Sequence, residues 1–266
     1  MINYTDISIK NFEEQVDILY PKVSLIDGTA SDIIKKMGRI SLSQSAKSDS
    51  LYFSLSHTFS SAKIGLEILN AICCRTGVLR DDIAINFMAS ILFCNIGIIK
   101  GILDDDHPGN YIISKTDHIK LDQNGTDSIL WKYKYYRSCR FIENIPFLNA
   151  NTNDEILSHS IGFSDFMDNK SPKLFQPGMI EKHNRATQLI TLMASNNHQR
   201  TMTEFFYAAN EANVMDHKMF SNLGEFKEKW AQHFWDTLYP DVAETILLLR
   251  GTDRGRNIVS SIYAHL

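Results

Sequence analysis

Lys134, Arg137 and Arg140 fall at i, i+3 and i+6, the spacing that lines three cations along one side of a helix. Such a row can hold a phosphate or nucleotide through charge-assisted hydrogen bonds without a metal. It is equally the pattern of a solvated basic face. Asp104-Asp105-Asp106-His107 has the residue types of a metal site, but consecutive side chains diverge, so the segment reads as an exposed acidic turn. The four cysteines, Cys73, Cys74, Cys94 and Cys139, show no paired zinc-site spacing. A cysteine attacks as its thiolate, and no cation adjacent to Cys94 in sequence lowers its pKa; Cys94 reads as a small buried hydrophobe. No phosphate-cradling glycine loop, Gly-x-Ser-x-Gly elbow or Cys-x-x-Cys occurs.

The elements that must position these residues are mostly helices. The run from Ala89 to Gly101 reads as an apolar helix ending in a polar pair, Cys94-Asn95, and then Ile-Gly. Leu55, Phe59, Ala62, Leu66, Leu69 and Cys73 form a helical stripe with Ser56 as its expected N-cap. Asp81-Asp82 suit the start of the next helix, which is expected to reach about Asn95. Further helices are expected at Ala30–Met37, Asn184–Met193, Thr203–Met215, Leu223–Trp235, Asp241–Arg250 and Arg254–His265. Leu103–Ser128 is turn-rich, with a hairpin insertion expected around residues 110–125 and turned by Asn124-Gly125 or nearby. Asp165–Gly178 reads as a second loop.

Composition bounds the rest. With 266 residues, 44% hydrophobic and 22% charged, the chain can bury a large core. A net charge of −4 argues against a nucleic-acid surface. The acid-bearing start, Met1 to Asp6, does not read as a signal peptide, and no uncharged apolar run reaches the roughly 20 residues of a membrane helix. A reducing cytoplasm is the expected compartment for such cysteines.

The polar pair before Ile-Gly resembles a phrase of the HD superfamily of metal-dependent phosphohydrolases, where a buried helix ends in His-Asp before Ile-Gly. Cys94 and Asn95 stand at that pair. His57 begins a helix 37 positions earlier, as the superfamily's first histidine does. Asn184-Arg185-Ala186-Thr187-Gln188-Leu189-Ile190 resembles its Arg-Ala-x-Asp-Leu-Ile, which puts Gln188 at the last aspartate. Tyr133 to Phe141 and Tyr239-Pro240…Thr252 to Tyr263 resemble further segments of a bacterial branch, which makes Lys134 the counterpart of an auxiliary histidine.

The resemblance implies an all-α, HD-like helical bundle over residues 51–266, with residues 1–50 as a helical appendage packed on it. It also implies a lost metal. Of the ligand positions only His57 keeps its type, while Asn95 and Gln188 are weak neutral donors and Lys134 brings a positive charge. The expectation is a catalytically inactive HD-fold protein, without cofactor or metal. It would bind a small anion (phosphate or nucleotide) or a protein partner in a regulatory or accessory role, with homodimerisation left open. The cleft would be formed by His57, Cys94, Asn95, Lys100, Lys134, Arg137, Arg185 and Gln188. The alternative is an active phosphohydrolase with a rebuilt metal site, or a metal-free enzyme using His57 and Cys94.

Overall fold

The computed structural model describes residues 3–23, 29–167 and 177–266. The helices are α1 (Tyr4–Val23), α2 (Thr29–Ser45), α3 (Leu55–Thr76), α4 (Asp81–Phe93), α5 (Lys134–Glu143), α6 (Pro146–Asn149), α7 (Asp154–Phe163), α8 (Met179–Met193), α9 (His198–Glu211), α10 (Leu223–His233), α11 (Tyr239–Leu249) and α12 (Asp253–Ala264). One antiparallel hairpin, β1 (Asn110–Ile112) with β2 (His118–Lys120), interrupts them. The fold is all-α with a small hairpin.

At the centre stands α4, buried on every side from Ala84 to Phe93. It packs against α2, α3, α7 and α8, and an apolar residue on each face is what that position demands. By length and composition alone the segment Asp81–Ile98 could cross a membrane, which the sequence reading did not anticipate. Here 78% of it is buried by protein. The first two helices join the same core, since Phe12, Val16, Ile34, Met37 and Leu42 are buried in one continuous apolar cluster.

Local chemistry sets the boundaries. Ser54, not the expected Ser56, caps α3: its side chain accepts from the His57 N–H. Gly77 ends that helix at φ 76°, a left-handed conformation that glycine adopts without a Cβ clash. Asn153, Asn222 and Thr252 cap α7, α10 and α12. A single π-turn, Phe234–Leu238, precedes α11, next to Pro240, which has no N–H to give the ladder.

The hairpin turn differs from the expected one. The Ile113 N–H donates to Asp117 O at 2.9 Å, and Ser114 Oγ donates to the Asp117 carboxylate at 2.6 Å, so the chain reverses over 113–117. Asn124-Gly125 instead leads from β2 into a 3-10 turn, Asp127–Tyr133. The expected loop Asp165–Gly178 lies mostly outside the described residues.

Candidate functional site

Four helices deliver one polar cluster. The first turn of α3 presents His57, the residue after the α4 C-cap is Asn95, α5 begins with Lys134, and α8 carries Gln188. Lys134 Nζ donates to Asn95 Oδ1 at 3.1 Å, and Asn95 Nδ2 donates to Gln188 Oε1 at 3.0 Å. An ammonium can only donate, which fixes the orientation of the Asn95 amide. Asn95 Nδ2 also lies 3.4 Å from His57 Nε2. Lys134 Nζ faces Asp165 Oδ2 at 3.6 Å, and Trp131 Nε1 donates to the same oxygen at 2.8 Å. Behind Gln188, its Nε2 donates to Asn184 Oδ1 at 3.4 Å, and Asn184 donates to Ser160.

The surroundings are buried and aromatic. Tyr52 and Phe53 pack on the His57 ring with centroids 4.5 and 5.6 Å away, and Trp131 stands edge-on to Phe53. Burial pushes the His57 pKa down to about 4; the hydrogen bond with Gln188 opposes this and the nearby Lys134 charge reinforces it. His57 is therefore a neutral imidazole at neutral pH. The space enclosed by His57, Asn95, Lys134, Gln188, Asp165 and their aromatic neighbours is about 10 Å³. That is the size of one water, far too small for a phosphate.

A metal does not fit this donor set. Two of the groups are neutral amides, and the Lys134 ammonium already holds the Asn95 oxygen that a cation would need. Among the described residues no group of three or more His, Cys, Asp or Glu converges on a point. Cys94 is fully buried, its Sγ donates to Ile91 O at 3.3 Å, and burial pushes its thiol up to about 11. A thiol so held is not a nucleophile at neutral pH.

Three expected cleft residues lie elsewhere. Arg137 is fully buried in a bidentate pair with Asp106, both contacts at 2.7 Å. Its remaining N–H groups donate to the carbonyls of Gly97, Ile99 and Ile112. With every donor used, it has none left for an anion. Lys100 reaches Gly125 O rather than the cluster. Arg185 pairs with Asp241 at 2.7 Å and donates to the carbonyls of Phe163 and Asp165, so it holds the backbone that presents Asp165.

The basic row is thus neither an anion cradle nor a solvated face. Its first two cations turn inward to carboxylates, and Arg140 meets Glu143 at the surface. The acidic turn is corrected with it: Asp104 and Asp105 are exposed, but the Asp106 side chain is 1% exposed. Asp165, Trp131 and Tyr52 were missed by sequence reasoning. A lone acid in a loop carries no local signal of its partner, and the two aromatics read only as core.

Gly97 explains the Ile-Gly after the polar pair. A Cβ there would lie 2.5 Å from both Lys134 O and the Ser138 amide nitrogen, so α5 rests directly on this glycine. The contact sets the depth from which Lys134 reaches Asn95. Gly97→Ala is expected to cost about 1–3 kcal/mol by overpacking against backbone. A chemical-denaturation midpoint unchanged from the wild type would show that α5 can shift freely.

Comparison with known proteins adds one finding. A family model described as Npun_R2479-like matches residues 2–266. No curated protein and no solved structure matches the chain.

Proposed function

The chain belongs to the Npun_R2479-like family, and we propose that it is a catalytically silent, HD-like protein that acts by binding a protein partner in a regulatory or accessory role. The observation that carries this reading is the Lys134 ammonium, bound to Asn95 and facing Asp165 between His57 and Gln188. Hydrolysis of a phosphoester needs a water activated by a metal or a positioned base. Asn95 and Gln188 can do neither. The interior site also leaves no room for a small anion, and its cations are already paired, which moves recognition to the outer surface. Trp235 and Tyr263 are exposed there, with Arg250 over the Tyr263 ring, residue types enriched at protein interfaces.

The test is turnover of p-nitrophenyl phosphate and bis(p-nitrophenyl) phosphate by the purified chain, with Mn²⁺, with Mg²⁺ and with EDTA. No rate above buffer is expected in any condition. Metal-dependent turnover would establish a rebuilt metal site. Turnover that survives chelation and vanishes in His57→Ala would establish a metal-free enzyme.

A further inference from the structure

Helices α1, α3 and α12 and the C-terminal end of α8 border a surface groove of about 750 Å³, a volume in the range of small-molecule sites. Four charged side chains line it, two of each sign: Glu14 from α1, Lys63 and Glu67 from α3, and Arg254 from α12. A smaller hollow of about 320 Å³ shares Lys63, Glu67 and Arg254, so these three stand where the two spaces meet.

Glu67 is 6% exposed, and a carboxylate so far withdrawn from water ordinarily has a cation as its partner. Among the described residues Glu67 has none. Its Oε1 accepts from Asn70 Nδ2 at 3.1 Å and from the hydroxyl of Thr252, the N-cap of α12. No described residue donates to Oε2. The fully buried side-chain oxygens without a partner among the described residues are those of Tyr20 and Tyr52. Glu67 Oε2 therefore reaches solvent, and the solvent that Glu67 borders is the groove with its hollow. Lys63 lies one turn back on the same side of α3, with Nζ over the Phe59 ring at 5.4 Å rather than on a carboxylate. Arg254 has no ion pair among the described residues either, while Arg250 and Arg256 beside it are taken by Tyr263 and Asp253.

We propose that this groove binds a small zwitterion of the amino-acid type. Its ammonium donates to Glu67 Oε2 and supplies the missing cation. Its carboxylate takes the Arg254 guanidinium and the Lys63 ammonium. Two acids and two bases favour such a ligand over a simple anion or a simple cation. The neutral amides of Asn196 and Asn197 remain on the rim for the ligand's side chain. The groove shares no residue with the interior cluster and does not depend on the reading given to it.

Saturation-transfer NMR of the full chain with the common L-amino acids, each at millimolar concentration and low salt, tests the site. At least one is expected to bind. Its N-acetyl derivative and its C-terminal amide each lose one charge, and each should bind roughly tenfold more weakly. In Glu67→Gln the penalty for N-acetylation should disappear, and in Lys63→Met/Arg254→Met the penalty for amidation should disappear. Glutamine keeps an oxygen for Thr252, the other two positions are exposed, and melts check that each variant is folded. No binding across the panel, or penalties that persist in the folded variants, would overturn the proposal.

Discussion

Replacing Arg137 with methionine is expected to cost about 3–5 kcal/mol of folding stability, the penalty of stripping one partner from a buried ion pair. Both side chains are almost fully withdrawn from water, at 0% and 1% exposure for Arg137 and Asp106. The loss extends beyond one pair. The guanidinium ties α5 to the carbonyls of Gly97 and Ile99 on one side and to Ile112 of the hairpin on the other. Asp106 in turn accepts from the Ile112 N–H at 3.2 Å. Without Arg137 a carboxylate and three carbonyls are left buried together. Asp106→Leu in the same chain should recover part of the loss, because it removes the orphaned charge, and the two changes should be strongly non-additive. Urea denaturation of the two singles and the double measures this. A cost below about 1 kcal/mol for Arg137→Met would mean that the side chain is solvated and free to bind anions, contrary to its five hydrogen-bonded donors.

Acid should destabilise the protein well before its carboxylates protonate. His57 has a folded pKa of about 4 against 6.5 for the free side chain, because burial disfavours the imidazolium. Between those values the unfolded chain binds a proton that the folded chain refuses, so stability falls as pH falls from 6.5 to 4. A difference of that size amounts to about 3 kcal/mol for this one group. His183, His198 and His233 are also lowered, chiefly by burial, and act in the same direction. Denaturation at a series of pH values should show this slope in the wild type. It should be flattened in His57→Gln, which has no proton to gain. Parallel acid limbs in the two proteins, or an NMR titration of His57 centred above pH 6, would contradict the buried neutral imidazole.

Much of the helical scaffold was legible because an apolar stripe at helical spacing has one physical meaning. Leu66, Leu69 and Cys73 are buried on α3 as their spacing required. The helix Tyr4–Val23 went unread although Phe12, Val16, Leu19 and Tyr20 make a buried stripe, because exposed Tyr4, Ile7 and Ile18 blur it. Ser54 and Ser56 offer the same capping chemistry two residues apart, and only the backbone geometry chooses between them. His57, Asn95, Lys134 and Gln188 were placed together by resemblance and meet within hydrogen-bond distance. The fate of the charged residues was less legible. Arg137 lies one turn from Lys134 on the same helix, and which acid each reaches depends on residues 31 positions away in one case and in the Asp165 loop in the other. Spacing along a helix fixes the side a cation leaves from, and tertiary structure fixes what it meets.

The interior cation can be tested by exchanging it for a metal. In Asn95→Asp/Lys134→His/Gln188→Asp the ammonium is removed and two carboxylates and an imidazole are placed around His57. Carboxylates crowded together without a cation repel each other, and a bound metal relieves them. The measurement is the melting temperature of this variant and of the wild type, each in Mn²⁺ and in EDTA. At a metal concentration well above the dissociation constant the variant should melt about 5–10 °C higher with Mn²⁺ than with EDTA. The wild type should melt at the same temperature in both, and the surface histidines common to the two chains cancel in the comparison. A folded variant with identical melting temperatures in Mn²⁺ and EDTA would contradict the convergence of these four side chains on one point.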